Sequence, residues 1–560
     1  MSTNSHEELI KTIKDNINNR CIHLLTLADR DEFSGSFGSF DRAYWQYKIK
    51  DFSSGMSQEA IYPLALAVKN KIINPKTTKS KVEINKLIKN GAIYSLNKQN
   101  FNGSVDDYFP YEQASGATAF TSFALMNCLE IKSFTLTTQE HNKFRKRLSW
   151  LANHKESGRL SNHEALISLV LAKGAKFYND KFLLEKSYFR CKRLLEWKSD
   201  EGWFEEYGGF DLGYETLTFS CLMEISQLLP KIRASVEEII KVSADLIINC
   251  VEPDFCLGGE LYARGTWNFF SHGLLKYAVK NNLTILPILL KVLESRFKQF
   301  PVNVQDDYIL QHHLWSDLIT LNILKKIHKK NLFDSSYIYG KKIDRQNIEL
   351  KSKEKVQINK FFKESGHLFI THGNYKTHVS ILMGGLFRTY NKKNIITQDT
   401  QNILNIKNTY YAANSLNKNI SWKWLSTNKL LIKGNLCKYK MEKMTTFKLI
   451  ILRLIMFFMG KYFPNLIRKM MQKVLITPKL ENERIFEREL VFEPNKIKVC
   501  DRYYLKEKDL YNITIKNTSF SNFKHVVMSK IFHPYYLRIT CPKYSKISKF
   551  RNYINLSREW

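Results

Sequence analysis

The sequence has few cysteines, and none lies in the spacing of a metal site. Its nine cysteines are an odd number, are scattered from Cys21 to Cys541, and include no C-x-x-C pair. Neither a disulfide framework nor a zinc knuckle is therefore predicted, and this use of cysteine favours a reducing compartment. No other cluster has metal-ligand spacing, so we predict neither a metal nor another cofactor.

Long apolar runs are also lacking. The opening MSTNSHEELIKTIKDNI has no apolar segment of the kind found in signal peptides, so a cytoplasmic protein is expected. The longest run, LIILRLIMFFM at 449–459, contains Arg453 and is shorter than the roughly 20 residues that cross a bilayer. With its basic flanks it predicts an amphipathic hairpin over 447–476 that lies on an anionic membrane surface. The alternative is a buried pair of core helices.

Acidic residues are too few to balance the basic ones. The 86 Lys and Arg residues outnumber the 53 Asp and Glu residues, which gives a formal net charge of +33. Such a charge favours a polyanionic partner, namely nucleic acid, anionic lipid or acidic polysaccharide. A Lys- and Asn-rich composition that reflects an AT-rich genome is the alternative explanation. No nucleic-acid-binding module is recognisable, so nucleic acid is not expected as a partner.

Apolar spacing divides the chain into a helical part and a strand-rich part. Up to residue 335, apolar residues recur at i, i+3 and i+4 in successive segments, which predicts an all-α bundle, solenoid or toroid. A polar and basic stretch at 336–360 is predicted to be a linker. Over 361–560 the period changes to two, with Gly and Asn turns, which predicts an antiparallel sheet or sandwich. The protein is therefore expected to be an α+β, multidomain protein.

One loop, DEGWFEEYGGFDLGYETLTF at 200–219, is unusually rich in acids, aromatics and glycines. Its glycines permit sharp turns, so the loop can hold Glu205, Glu206, Tyr207 and Tyr214 around a cleft. From Tyr214 onward the apolar spacing becomes helical. We predict that Tyr214, at the start of this helix, is functional. Glu205 and Tyr207 either contact a ligand or only shape the loop.

The sequence SNHE at 161–164 is a second motif. Ser161 and Glu164 have the S-x-x-E spacing of a capping box ahead of an apolar helix. Asn162 and His163 would then lie in the first helical turn, where free N–H groups favour an anion such as a substrate carboxylate. The alternative is a helix cap with a surface histidine.

Two further segments supply candidate site residues. In GGELYARGTWNFFSHG at 258–273, Arg264 can bind a carboxylate with two hydrogen bonds, and His272 can transfer a proton or contact a sugar. Near the N-terminus, Arg42 and Trp45 combine a cation with an aromatic face, which suits a sugar ring bearing an acidic group. All four residues can equally be structural.

His378 is a candidate in the strand-rich part of the chain. Strict alternation in KTHVSILMGG places His378 on the face opposite to Thr377 and Val379, so His378 need not be buried. It is one histidine without a second motif residue beside it.

These motifs, in this order, resemble the heparinase II/III-like proteins, relatives of alginate lyases and of dermatan-sulfate epimerase. The resemblance rests on SNHE at 161–164, on the Gly-Trp-Phe-Glu loop at 202–205 that leads to Tyr214, and on the order of helical and β parts. It implies an incomplete (α/α) toroid of helix hairpins over 1–335 and an antiparallel β-sandwich over 361–560. The active-site cleft is expected along the toroid and between the two domains.

The resemblance also implies a reaction, the removal of the C5 proton of a uronic acid residue in a polysaccharide. Tyr214 matches the family's base, while Asn162, His163 and Arg264 match the task of neutralising the carboxylate as charge develops. Expulsion of the 4-O-glycosyl group makes such an enzyme a lyase, and reprotonation on the opposite face makes it a C5-epimerase. The family's β-domain histidine is assigned to His378, although it usually lies in a segment richer in His and Asp.

Degradative lyases of this kind are exported, whereas this sequence shows no export signal. The resemblance and the charge together predict a role in building a surface polysaccharide. The expected partner is an acidic polysaccharide or a lipid-linked glycan at the inner face of the cytoplasmic membrane. The alternative is a non-catalytic glycan-binding or scaffold protein of a polysaccharide assembly complex.

Overall fold

The structure is a computed structural model. It describes residues 3–73, 76–156, 158–299, 306–330, 356–439, 445–475, 479–517, 539, 546–550 and 552–560.

The N-terminal part consists of helices joined by loops and 3-10 turns. The helices are α1 (Thr3–Leu27), α2 (Arg42–Trp45), α3 (Ile61–Lys69), α4 (Thr78–Asn97), α5 (Ser115–Glu130), α6 (Thr138–Asn153), α7 (Ser161–Tyr178), α8 (Lys181–Leu195), α9 (Leu212–Leu228), α10 (Arg233–Asn249), α11 (Ser271–Asn281), α12 (Leu286–Glu294) and α13 (Gln311–Lys329).

Six of these helices form an inner layer. Helices α3, α5, α7, α9, α11 and α13 contact one another in chain order, and α13 also packs against α3. These contacts close the described inner helices into a ring. The outer helices α1, α4, α6, α8, α10 and α12 pack against this ring.

Burial explains which helices are inner and which are outer. Every residue of α5 from Ser115 to Leu129 is buried, as expected for a helix that is covered on all sides. In α8, by contrast, burial follows one stripe, from Leu183 through Ser187 and Cys191 to Leu194. One-sided burial of this kind is typical of a helix packed on the outside of a core.

The C-terminal part is built from antiparallel strands. These are β1 (Val356–Phe362), β2 (His367–His372), β3 (Tyr375–Ser380), β4 (Leu386–Asn391), β5 (Asn394–Asp399), β6 (Asn402–Ile406), β7 (Thr409–Ala412), β8 (Ser421–Ser426), β9 (Lys429–Tyr439), β10 (Lys479–Glu493), β11 (Lys496–Tyr504), β12 (Ile513–Asn517), β13 (Lys546–Lys549) and β14 (Tyr553–Glu559). A short helix, α16 (Glu507–Leu510), precedes β12.

The strands form two sheets. The first is a meander in the order β1-β2-β3-β4-β5, and the second has the order β12-β6-β7-β9-β10-β11-β14-β13, with β8 paired to β9. Leu368 and Val379 of the first sheet share a core with Leu430 and Leu490 of the second. Leu386, from the first sheet, belongs instead to the core of the helical part. The first sheet therefore lies between the toroid and the second sheet.

The predicted architecture of a helical toroid followed by an antiparallel β-sandwich is confirmed. Most of the predicted linker, 336–355, falls outside the described residues, and its last five residues, 356–360, belong to β1.

Two helices separate β9 from β10. They are α14 (Thr446–Ile455) and α15 (Pro464–Leu475), joined through a π-helical turn at Met456–Gly460. They occupy the segment for which the sequence predicts an amphipathic hairpin. In the part of the chain that the structure describes, no helix is long and apolar enough to cross a membrane.

A buried cluster of charges fastens the two sheets together. Arg488 of β10 donates from Nε to Asp501 Oδ1 at 2.7 Å and from Nη1 to Asp399 Oδ1 at 2.9 Å. Arg558 Nη2 lies 3.1 Å from Asp399 Oδ2, and all these side chains are at most 1% exposed. Burial alone raises the pKa of Asp399, but Arg488 and Arg558 outweigh it, so the pKa is lowered overall. The carboxylate therefore stays charged and holds β5 to the second sheet.

We expect Arg488→Leu to lower the free energy of unfolding by about 3–5 kcal/mol, because it leaves two buried carboxylates with one remaining guanidinium. Urea unfolding followed by tryptophan fluorescence measures this change. The matched control is Arg502→Leu on the neighbouring strand, where the side chain is 38% exposed. Its effect should stay below about 1 kcal/mol, and equal effects of the two substitutions would contradict the assignment.

Candidate active site

The acidic and aromatic loop lies between α8 and α9, and Asp211 fixes its end. Asp211 is the N-cap of α9, and its Oδ1 accepts hydrogen bonds from Tyr214 N at 3.2 Å and Thr266 Oγ1 at 2.8 Å. Asp211 Oδ2 accepts from Arg264 N at 3.0 Å. One buried carboxylate thus ties the first turn of α9 to the segment that carries Arg264. Asp and other short polar residues suit this position because they satisfy the free N–H groups of a helix start.

The start of α7 differs from the predicted capping box. The N-cap residue is Leu160, which makes no side-chain cap, while Ser161 Oγ donates to the backbone oxygen of Glu205 at 2.6 Å. Glu164 pairs instead with Arg190 at 3.0 Å, deep in the helical layer. The capping-box prediction is wrong because both side chains found tertiary partners. Asn162 is nevertheless in the first turn, as predicted.

Glu206 occupies the helix start at which we expected a substrate anion. Its Oε1 accepts from Asn162 N at 2.8 Å and from Asn162 Nδ2 at 2.6 Å. Its Oε2 lies 3.3 Å from Arg264 Nη1. Burial raises the pKa of Glu206, and Arg264 and the hydrogen bonds from Asn162 only partly oppose this shift. The protein thus supplies its own carboxyl group to link Asn162 with Arg264.

Arg264 lies against two tyrosine rings. Its guanidinium carbon is 4.2 Å from the ring centroid of Tyr214 and 4.9 Å from that of Tyr207. A guanidinium at these distances is attracted to the negative ring face. Tyr207 has a left-handed backbone, with φ of 51°, and its N–H donates to Arg159 O at 3.1 Å. The loop therefore turns sharply at Tyr207 and sets its ring beside Arg264.

Tyr214 is 8% exposed and lies in the first turn of α9. Burial raises the pKa of its hydroxyl, and the nearby Arg264 acts in the opposite direction. The nearby Asn268 side chain also lowers that pKa. Asn268 lies inside the segment 258–273, but a single asparagine among aromatic residues gave no signal that would have selected it.

His163 is oriented by an acid from the preceding loop. Its Nδ1 lies 3.0 Å from Glu156 Oε2, and Ser115 Oγ also donates to Glu156. The His163 side chain is 21% exposed, so Nδ1 is engaged while the ring stays accessible. A histidine held through one nitrogen by a carboxylate is an arrangement suited to proton transfer at the other nitrogen. Glu156 carries no sequence motif, and the prediction missed it.

Four buried polar atoms of this cluster have no hydrogen-bond partner among the described residues. They are both polar atoms of the Asn268 amide, the acceptor Asn162 Oδ1 and the donor Arg264 Nε. Leaving such atoms unpaired in a protein interior is unfavourable, and native structures contain few of them. A ligand that offers both an acceptor and a donor would satisfy Arg264 Nε and Asn162 Oδ1.

Aromatic residues border the cluster. Phe120 lies 6.4 Å from the His163 ring and 4.5 Å from the His312 ring. On another side the rings of Tyr108 and Tyr308 are 6.0 Å apart, and the pKa of Tyr108, raised mainly by burial, also responds to Tyr214 and Arg264. These residues lie on loops and helix starts far apart in sequence, so no local pattern indicated them.

Glu205 has a narrower role than its position suggested. Its carboxylate pairs with Arg159 at 2.8 Å, and its backbone oxygen accepts from Ser161. Both contacts join the loop to the start of α7. Glu205 therefore at least shapes the loop.

His272 does not join the cluster. It is 2% exposed, and its Nδ1 lies 2.8 Å from Ser316 Oγ of α13. Burial, with Lys276 acting in the same direction, lowers the pKa of His272 to about 3. The ring is thus neutral and packs between α11 and α13, and its contacts give no support to the predicted role in proton transfer or sugar contact.

His378 is also buried, contrary to the expectation from strand alternation. It is 1% exposed, its Nδ1 lies 2.7 Å from Glu252 Oε1, and its Nε2 lies 2.9 Å from His367 Nδ1. The alternation was read correctly, but both faces of the first sheet are covered, one by the toroid and the other by the second sheet. Burial and Arg388 lower the pKa of His378 well below its ordinary value. His378 fastens the sheet to the toroid.

Arg42 and Trp45 form local contacts. Arg42 donates to Gln46 Oε1 at 3.0 Å and to Tyr47 Oη at 2.8 Å, while Trp45 Nε1 donates to Leu27 O at 2.8 Å. These contacts do not connect either residue with Arg264 or Tyr214. Among the described residues, no group of three His, Cys, Asp or Glu is arranged to hold a metal ion.

Glu215 connects the loop before α9 to α10. It follows Tyr214 and is buried, with its carboxyl group accepting from Phe204 N at 2.9 Å and Ser243 Oγ at 2.8 Å. Burial raises the pKa of Glu215 from 4.5 to about 8. Above pH 4.5 the unfolded chain loses this proton while the folded protein keeps it until about pH 8.

The folded state should therefore lose stability as the pH rises across this window, by up to roughly 5 kcal/mol. We expect Glu215→Gln to flatten this dependence, because an amide can donate to Ser243 Oγ and accept from Phe204 N without ionising. Urea unfolding between about pH 5 and pH 8.5 tests the expectation, with Glu185→Gln on the exposed face of α8 as control. An unchanged slope for Glu215→Gln would contradict it.

Comparisons with known proteins find similarity in structure only. No protein-family model matches the sequence, and no curated protein matches it. Heparinase III superposes with a TM-score of 0.46 at 11% identity, covering 82% of this chain and 64% of its own. A heparan sulfate lyase HepC mutant from Pedobacter heparinus gives 0.38 at 10% identity, covering 80% of this chain and 62% of its own.

Chondroitinase AC lyase gives a TM-score of 0.39 at 10% identity, covering 90% of this chain and 67% of its own. At such identities the similarity concerns the fold alone.

Proposed function

We propose that this protein is an enzyme that acts on uronic acid residues of an acidic polysaccharide by removing the proton at C5. The observation that carries the proposal is one cluster in which a donor, Arg264 Nε, and an acceptor, Asn162 Oδ1, lack partners among the described residues. Tyr214 and His163 stand in the same cluster. A uronate offers a carboxylate to the donor and hydroxyl groups to the acceptor.

Arg264 is the proposed carboxylate ligand. The C5 proton is weakly acidic because its removal spreads negative charge onto the carboxylate, so the site must stabilise that charge. Asp211 accepts a hydrogen bond from the backbone N–H of Arg264, and Glu206 pairs with Nη1 of the guanidinium. Two tyrosine rings shield the guanidinium from water. A charge held in place in this way stabilises the developing anion without reorganising.

The raised pKa of Glu206 suits this role. A substrate carboxylate beside Glu206 would place two acids on one guanidinium, and like charges at short distance favour protonation of one of them. Because burial already raises the pKa of Glu206, it is the acid that takes up the proton. The substrate carboxylate is then the charged acid that pairs with Arg264, because Glu206 is neutral.

Two groups are available for proton transfer. Tyr214 is the proposed base at C5, with Arg264 stabilising its phenolate form. His163, held by Glu156, is the proposed second group. It would donate to the 4-oxygen in β-elimination, or to C5 from the opposite face in epimerisation.

Substrate contacts beyond the reacting carbons are assigned to the cleft border. Tyr207 offers a ring beside Arg264, and Tyr108 offers an exposed one on the opposite side. We place the reaction on nascent acidic polysaccharide or lipid-linked glycan in surface-polysaccharide biosynthesis. The excess of 86 basic over 53 acidic residues supports a polyanionic substrate of this kind.

A second candidate function is non-catalytic binding of acidic glycans. It is favoured by the raised pKa of Tyr214, because burial keeps the phenol protonated in the free protein. It is also favoured by Glu206, which already uses both Asn162 donors. Binding without any change in the sugar distinguishes this function from the enzymatic one.

We expect Tyr214→Phe to abolish turnover while glycan binding changes less than about threefold, because only the proton-transferring oxygen is lost. The assay uses a panel of glucuronate-, galacturonate- and mannuronate-containing chains. Appearance of an unsaturated uronate by ultraviolet absorbance reports elimination, and deuterium incorporation at C5 in heavy water without it reports epimerisation. The control is Tyr178→Phe at the opposite end of α7, where the hydroxyl contacts His141. Full activity of Tyr214→Phe would exclude it as the base.

Arg264→Lys tests the carboxylate ligand separately. The change keeps the positive charge but removes the Nε donor, so we expect kcat/KM to fall by about 100-fold. Arg145→Lys is the matched control, because Arg145 of α6 also stacks on a tyrosine, with its guanidinium carbon 4.4 Å from the ring centroid of Tyr178 at the end of α7. If both variants keep wild-type kcat/KM, Arg264 does not bind the carboxylate.

A further inference from the structure

The hairpin of α14, the π-helical turn and α15, residues 446–475, carries many large apolar side chains on its surface; we refer to it as the hairpin surface. Phe447 is 72% exposed, Phe458 66% and Phe463 57%. The other exposed members are Leu449, Ile450, Ile451, Leu454, Ile455, Phe457, Met459, Tyr462, Leu466 and Met470. Large apolar patches of this kind mark interaction sites on soluble domains.

Only one side of the hairpin is anchored to the toroid. Arg453 Nη2 pairs with Asp51 Oδ1 at 2.9 Å, and the guanidinium carbon lies 5.3 Å from the Phe52 ring centroid. The ring of Phe457 lies 6.5 Å from that of Tyr111. Among the hairpin side chains that the structure describes, Met456 and Ile467 are the buried large apolar ones. These contacts hold the hairpin against the helical part, while most of its described apolar side chains are exposed to solvent.

Charge indicates what covers the hairpin surface. Residues 445–475 contain six Lys or Arg and no Asp or Glu. Lys448, Lys461 and Lys469 are exposed among the apolar residues. If two copies of the chain met through this surface, the three exposed lysines of one copy would approach those of the other, and the segment itself supplies no Asp or Glu, which is unfavourable. An anionic bilayer satisfies both features, since its interior accepts the apolar side chains and its headgroups attract the cations.

Length determines how the hairpin would lie. Helix α14 has 10 residues, which at about 1.5 Å per residue is roughly half of the 30 Å apolar thickness of a bilayer. The hairpin therefore cannot cross, and it fits a position along the interface with the lysines at headgroup depth.

We propose that the hairpin surface is a docking site for an anionic lipid membrane. The surface lies close to the candidate active site. Lys50 is 5.0 Å from the Phe52 ring, against which Arg453 packs, and 5.9 Å from the ring of Tyr308. Tyr308 in turn contacts Tyr108 at the border of the cleft. A membrane on the hairpin surface would thus lie beside the cleft entrance, and its binding does not depend on the proposed activity.

Vesicle sedimentation with the full chain tests the proposal. One vesicle preparation contains phosphatidylcholine alone, and the other contains phosphatidylcholine mixed with phosphatidylglycerol. The test variant is Phe447→Ser/Phe458→Ser/Phe463→Ser, which alters exposed side chains and keeps the contacts of Arg453 with Asp51 and of Phe457 with Tyr111. The control is Phe33→Ser/Phe101→Ser/Phe189→Ser, three phenylalanines that are 100%, 93% and 56% exposed elsewhere. Circular dichroism verifies that both variants fold.

We expect the unaltered protein to bind the mixed vesicles more strongly than the neutral ones and to dissociate as salt rises. The test variant should lose about tenfold or more in partition coefficient, and the control should retain wild-type binding. Equal binding by test variant and wild type, or no binding by wild type, overturns the proposal. Sedimentation velocity covers the remaining outcome, because a wild-type dimer that the test variant abolishes, without vesicle binding, assigns the surface to a second copy.

Discussion

The buried carboxyl group of Glu206 is the contact on which the candidate site depends. It accepts two hydrogen bonds from Asn162 at the start of α7 and pairs with Arg264 from the loop before α11. Asn162 and Arg264 are more than a hundred positions apart in sequence, and the Glu206 side chain contacts both of them. A buried acid is costly unless it is paired, so its burial fixes the position of both partners.

Two further acids extend this arrangement to the proton-transfer groups. Asp211 caps α9 below Tyr214 and also holds the backbone of Arg264, while Glu156 orients His163. The ring of inner helices makes this possible, because α5, α7 and α9 each contribute their first turn to the same region. Free N–H groups and helix dipoles at those ends favour negative charge. The same end of the toroid therefore accepts structural acids and is suited to an acidic substrate.

The architecture and part of the candidate site could be predicted from the sequence. Apolar periods of 3.6 and 2 separate the toroid from the sandwich because each layer buries one side of its elements. Asn162, Tyr214 and Arg264 were found because short motifs mark helix starts and loops. Glu156 and Asn268 were missed because their roles exist only through tertiary contacts. His378 was misjudged because alternation tells which face a residue occupies, but not whether that face is covered.

Under the proposed function, whether a uronate in this site undergoes elimination or epimerisation is decided by the second proton, not by the first. Both reactions begin with the same base and the same stabilised anion, so Tyr214 and Arg264 cannot distinguish them. The distinction lies in what His163 reaches from its position beside Phe120, either the leaving oxygen or the opposite face of C5. Because Glu156 holds the imidazole through Nδ1, the reach of that ring is set by the protein. The short loop that carries Glu156, between α6 and α7, is therefore the element in which a lyase and an epimerase on this scaffold would differ.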